Sequence, residues 1–201
     1  MANTALVFQG VQNDLCDPSG RLYPLLGAQL ERRGTLTSLR RLVEGFLAAR
    51  QPVFLVPIEF TPDYREIARA EGVLGLIREQ RTLSRGSRGA APLESFVPLL
   101  ERVTVVQAKR GLCAFGTTPL HELLQRASVS TVVVAGLLTN VCVETTARSA
   151  YDLGYRVVMV PEATATRSDA EQDASERYAF PLLGASLGVS AVLAQLDTPS
   201  P

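Results

Sequence analysis

The chain has 201 residues, is 46% hydrophobic and balances 20 acidic side chains against 20 basic ones, so it can build a core and is too apolar to be disordered. The balanced charge argues against a nucleic-acid surface, which needs a basic excess to release counterions, and no apolar run reaches the roughly 18 residues of a membrane span. Of the 20 basic residues nineteen are arginine, and Lys109 is the single lysine.

No basic region precedes an apolar stretch at the N-terminus, so a cytoplasmic protein is expected. Cys16, Cys113 and Cys142 cannot all pair and lack metal-type spacing, which reads as free thiols. His121 is the single histidine. Neither a metal nor a cofactor is expected.

In chain order, the apolar runs ALVF (5–8), VFLVPI (53–58), VTVVQA (103–108), TVVVAG (131–136) and RVVMV (156–160) are short and rich in β-branched residues. They read as strands buried on both faces, as in a parallel sheet. Between the first two, Leu36, Leu39, Val43, Phe46 and Leu47 recur at helical spacing over 35–50. Thr118 and Pro119 form a cap and first position for a helix buried through Leu120, Leu123 and Leu124. The run after the fourth strand predicts a helix ending at Gly154. Ser168 and Glu171 have capping-box spacing for another. A weaker sixth strand is expected at 187–190.

Strand and helix alternating in this way predict an α/β fold: a doubly wound, Rossmann-like, mainly parallel sheet of about six strands with helices on both faces. One domain over 1–196 is expected, with 197–201 as a frayed tail.

In such a sheet ligands bind at the carboxyl ends of the strands. That directs attention to 10–14, Glu59, Lys109 with Arg110, and 137–142. Cys142 falls in the first turn of its helix, where free backbone N–H groups and the helix dipole favour a thiolate. A small buried core cysteine is the competing reading. Lys109, past the end of another strand, can supply a cation to the same crevice.

These residues resemble a family, the isochorismatase-like cysteine hydrolases, which include nicotinamidases and carbamoyl-amide hydrolases. The likeness covers nearly the whole chain and is carried by VQNDLCDPSGRL (11–22), SRGSRGAAPL (84–93), AKRGLCAFGTTPL (108–120) and VVVAGLLTNVCVETTARSAYDLGYRVV (132–158). The resemblance implies a trio of aspartate, lysine and cysteine, with Lys109 and Cys142 as two members. It also implies a cis peptide between Leu137 and Leu138, an oxyanion hole from the backbone N–H groups of Leu138 and Cys142, and a homo-oligomer. The aspartate position, two residues before the Gln12–Asn13 pair, is Gly10 here.

Gln9 is expected to point away, to the other side of the strand. Glu59, ending the second strand, is the candidate replacement base, and Gly10→Asp is expected to raise hydrolysis. Asp14 is a second candidate for that base, although the resemblance implies that a residue there shapes the turn. The family's nicotinamidase metal site has no counterpart in EFTPDYREI (59–67). Gln12, Phe60, Tyr64 and Phe115 are candidates for the substrate pocket, the three rings as an aromatic wall.

The expected function is hydrolysis of a C–N bond in a small amide or carbamoyl-type molecule through a Cys142 thioester, with a relocated general base. Two alternatives stay open: a non-hydrolytic member performing acyl transfer, lyase chemistry or a rearrangement, and a catalytically silent binding homologue.

Overall fold

A computed structural model describes residues 3–69 and 71–196. Six strands, β1 (Thr4–Gln9), β2 (Val53–Val56), β3 (Thr104–Val105), β4 (Thr131–Leu137), β5 (Arg156–Ala165) and β6 (Gly184–Ser186), form one sheet in the order β3-β2-β1-β4-β5-β6. Every pairing is parallel, which confirms the doubly wound α/β architecture. The helices are α1 (Asn13–Cys16), α2 (Gly27–Arg33), α3 (Thr35–Ala48), α4 (Gly72–Glu79), α5 (Leu120–Arg126), α6 (Glu144–Asp152), α7 (Asp169–Ala174), α8 (Phe180–Leu183) and α9 (Val189–Leu196).

Alternation along β1 sorts its side chains onto two cores. Ala5 and Val7 pack with Leu120 and Leu124 of α5, Ala147 of α6 and Phe180 of α8. Leu6 and Phe8 pack with Leu39, Val43 and Phe46 of α3 and with Val192 of α9. A third apolar cluster lies beyond the carboxyl ends of the strands, drawing on Leu15, Leu22, Leu26, Ile58, Leu83 and Leu137. Strand order reverses between β1 and β4, so the crevice between them is the switch point where ligands bind in such sheets.

Two strands differ from expectation. The third is only Thr104–Val105, an edge strand paired on one side, and the chain leaves the sheet before Ala108, whose φ is +76°. The sixth is Gly184–Ser186, while 189–196 is helix α9. The pairing of Gly184 with Val157 is too close for a side chain, since a Cβ there lies 2.0 Å from the Val157 carbonyl oxygen. Val189, Val192 and Leu196 instead carry the buried helical spacing. The Ser168 cap is present, its hydroxyl accepting from the Glu171 N–H. Residues 197–201, read as a tail, lie outside the described residues.

Candidate active site

Four segments converge on the switch point. β1 delivers Gln9 and Gly10. The loop after β3 delivers Lys109, whose carbonyl accepts from Glu59 N–H at 3.2 Å. Thr117 clamps that loop, its hydroxyl donating to Ala108 O at 2.7 Å and accepting from Arg110 N–H at 3.2 Å. β4 ends in the cis Leu137–Leu138 peptide. A widened turn at Thr139–Val143 then carries Cys142 directly into α6.

That turn is held from behind. The Leu138 carbonyl accepts from Val141 and Val143 N–H groups at 3.2 and 3.0 Å. Thr139 donates to Gln172 Oε1 at 2.7 Å, and Thr166 donates to Asn140 Oδ1 at 2.6 Å. The nucleophile candidate is thus fixed by α7 and the end of β5 as well as by its own helix.

Lys109 is 1% exposed, and its Nζ donates to Gln9 Oε1 at 2.7 Å. Gln9 Nε2 donates in turn to Thr146 Oγ1 at 3.1 Å, which also accepts from Ala114 N–H at 3.0 Å. Burial pushes the Lys109 ammonium below its ordinary range, and the adjacent Cys142 thiol pulls it partly back. Cys142 is half-buried. Cys16 differs: its buried thiol is pushed up to about 12 by desolvation and faces the Gly10 carbonyl.

Gln9 overturns the expectation that it points away. Gly10 takes a φ of +77°, so the chain turns out of the sheet there. Gln9, one residue earlier, keeps the α6 face, the same face from which Lys109 enters. Gly10 has no room for a side chain, because a Cβ lies 2.7 Å from Leu137 O and 2.8 Å from Leu137 Cβ. An aspartate at position 10 is therefore strained and displaced in this backbone, contrary to the expected gain from Gly10→Asp. Gly136, paired with Gln9, is glycine for a similar reason: a Cβ there meets Gln9 O at 2.1 Å.

Above Lys109 and Cys142 opens a cavity of about 500 Å³. Leu22, Leu25 and Leu26 form one side, Val73, Leu76 and Ile77 of α4 another, and Leu112, Leu137, Leu138 and Val141 close it near the thiol. Gly10 and the proposed oxyanion residues Leu138 and Cys142 line it. Among the described residues of the wall, the only polar side chains are Lys109, Cys142 and Arg167, and Arg167 is ion-paired with Glu171. No carboxylate is in the wall among the described residues.

The other expected pocket residues sit elsewhere. Glu59 accepts from Arg85 Nε at 2.9 Å and is absent from the wall. Gln12 ties three strands of chain together, donating to Ile58 O and Ala90 O and accepting from Ile58 N–H. Phe60 is packed against Tyr64, whose hydroxyl donates to Thr82 O. Phe115 stacks on Tyr155. The wall is aliphatic, not aromatic. The residues missed were Gln9, Thr146, Arg167 and the leucines of the wall; the one available signal was a glutamine ending an otherwise apolar strand. No group of three or more His, Cys, Asp or Glu placed to hold a metal is found among the described residues.

A buried amine beside a thiol, at the switch point of a doubly wound sheet, defines a thiol-containing α/β site. The isochorismatase domain family matches residues 4–189, and the chain belongs to that family. The uncharacterized isochorismatase family protein YwoC of Bacillus subtilis is 35% identical over 117 residues, 56% of this chain and 62% of YwoC, so the match spans about three-fifths of that relative. The ureidoacrylate amidohydrolase RutB of Methylobacterium radiotolerans is 29% identical over 178 residues, 81% of this chain and 67% of RutB. In fold, the chain is similar to a cysteine hydrolase from Pseudomonas syringae, with a TM-score of 0.83 at 21% identity, covering 97% of this chain and 92% of that one.

Proposed function

We propose that the protein hydrolyses a C–N bond of an amide or carbamoyl compound through a thioester on Cys142, with Lys109 as the proton carrier. The observation that carries this reading is a buried Lys109 held between Cys142 and the neutral amide of Gln9, in a wall with no carboxylate among the described residues. The family membership and an amide-hydrolysing relative support the reaction class.

The steps balance on these two groups. The thiol proton passes to the Lys109 amine, and the thiolate adds to the substrate carbonyl. The resulting oxyanion lies near the backbone of Leu138 and Cys142, the intended donors. When the C–N bond breaks, the Lys109 ammonium gives its proton to the leaving nitrogen, and a thioester remains. Acylation has now removed the negative sulfur from beside Lys109. Burial and the neutral amide of Gln9 then favour the uncharged amine, which takes a proton from the attacking water. Water adds, the thiolate leaves, and the acid departs. A carboxylate in the place of the Gln9 amide would hold Lys109 charged and oppose this last step.

The reading has the protein working on a small molecule in the cytoplasm as a homo-oligomer. Three free thiols support a reducing compartment, and the exposed Tyr151, Leu153, Tyr178 and Leu182 support a subunit contact.

The test uses p-nitrophenyl hexanoate as acyl donor and ammonia release from short primary amides as the natural readout. The expected result is a burst of p-nitrophenolate, a hexanoyl adduct mapped to Cys142 and absent in Cys142→Ala, and ammonia release. An adduct on Cys16 or Cys113, or none, overturns it. A thioester that resists water and leaves with added amine marks an acyl transferase instead.

A further inference from the structure

We infer that the acyl half of the substrate is an aliphatic chain, seated in the leucine-rich cavity with its carbonyl at Cys142. This rests on Cys142 being the nucleophile of the proposed reaction and adds the chemistry of what it acylates with.

The wall determines which groups can enter. Val73, Leu76 and Ile77 present one apolar face of α4 at helical spacing, and Leu22, Leu25 and Leu26 face the same space. Beyond the thiol and amine at the floor, Arg167 is the one polar side chain among the described residues of the wall, and Glu171 already engages it through two hydrogen bonds. An acyl group carrying a ring nitrogen, hydroxyl or second amide finds no described side-chain partner along the aliphatic wall, and burying it unpaired is unfavourable. Aromatic rings are likewise absent from the described wall, so nothing there stacks a planar substrate. Alkyl groups meet neither obstacle.

Size agrees. At roughly 30 Å³ per non-hydrogen atom, the share one water takes in the liquid, a cavity of about 500 Å³ accepts an acyl group of about eight carbons when half filled. Leu25 is 42% exposed, so the apolar lining continues to the surface and a chain can enter.

The experiment reads binding without turnover. Alkyl methanethiosulfonates transfer their S-alkyl group to a thiolate: the Cys142 sulfur bonds to the reagent's sulfenyl sulfur, methanesulfinate leaves with the electron pair of the broken S–S bond, and a mixed disulfide holds the chain where an acyl group would sit. Rates of Cys142 modification are measured by intact mass and peptide mapping for methyl through octyl, each normalised to the rate with glutathione. The expected rise is about fourfold per methylene, the equivalent of about 0.8 kcal/mol per buried CH₂, up to about hexyl. Leu76→Asp, on the half-buried face of α4, should flatten the series, read as each reagent's rate relative to the methyl reagent in the same protein.

A flat series in the wild type, or one that Leu76→Asp leaves as steep, overturns the aliphatic assignment even if amides are hydrolysed. A steep series flattened by Leu76→Asp, with no thioester from the acyl donor, supports the aliphatic cavity and instead overturns the hydrolase reading.

Discussion

Two buried polar clusters lie within a few residues of each other at the end of β1, and they are built in opposite ways. In one, Gln12 and Asp14 are spent on main-chain groups: Gln12 bridges Ile58 and Ala90, and the Asp14 carboxylate accepts from Leu83 N–H at 2.7 Å. Each such bond ties a side chain to backbone, so the cluster fixes the position of the loops and has nothing left to exchange. In the other, Gln9, Lys109, Thr146 and Cys142 bond largely side chain to side chain, and two of the four face an open cavity. Buried polar groups thus serve as frame where their partners are main chain, and as chemistry where a proton can pass between them.

This contrast is broken most sharply at Lys109. Lys109→Met should cost about 10²- to 10⁴-fold in turnover, the range for losing a general acid–base, while raising the melting temperature. The sign follows from burial. Lys109 titrates lower in the folded chain than the ordinary lysine value. Between those two values the unfolded chain holds the extra proton, so stability rises with pH across that window and the cost persists below it. Calorimetry at neutral pH and at high pH checks this: the gain from Lys109→Met should shrink as pH rises toward the ordinary lysine range.

Gln12→Leu should do the reverse. It leaves Ile58 N–H, Ile58 O and Ala90 O without their partner, at about 1–3 kcal/mol for each buried group left unsatisfied. The melting temperature should fall by about 2–4 °C per kcal/mol, with turnover per folded molecule retained. A Gln12→Leu protein that melts normally would dissolve the distinction. Gly10→Asp combines a positive φ with the close Leu137 backbone; a loss of about 1–3 kcal/mol from the backbone alone and no gain in ammonia release are expected. The smallest effect belongs to Glu59→Gln. That carboxylate pairs with a half-exposed Arg85, a contact worth about 0–1 kcal/mol, and turnover should stay within error of wild type.

The sheet, its parallel pairing, the Ser168 cap and the strand-end positions of Lys109 and Cys142 were legible because each depends on local pattern: β-branched runs, capping spacing, a residue past a strand. The sixth strand was misplaced because Gly184–Ser186 is held by close approach to β5, a property of the partner. Gln9 was misjudged because strict alternation was carried through a residue that leaves the strand conformation, Gly10. The aliphatic cavity was missed because Leu22, Leu76 and Leu112 come from three separate loops and helices, and nothing in their spacing brings them together. Phe60, Tyr64 and Phe115 were read as pocket residues by type, whereas packing against other rings claims all three.

The most direct test of Lys109 as sole proton carrier is the steady-state release of p-nitrophenolate from p-nitrophenyl hexanoate by Gln9→Glu, measured after the burst, where thioester hydrolysis limits. The new carboxylate replaces the amide oxygen that stands 2.7 Å from Lys109 Nζ and holds the ammonium charged. Because the thiol proton passes to the same amine, the burst should slow as well, and the steady rate should fall by about 100-fold, the lower end for losing a general base. A steady rate faster than wild type would contradict the account, for it would mean that the site works better with a carboxylate than with Lys109 alone.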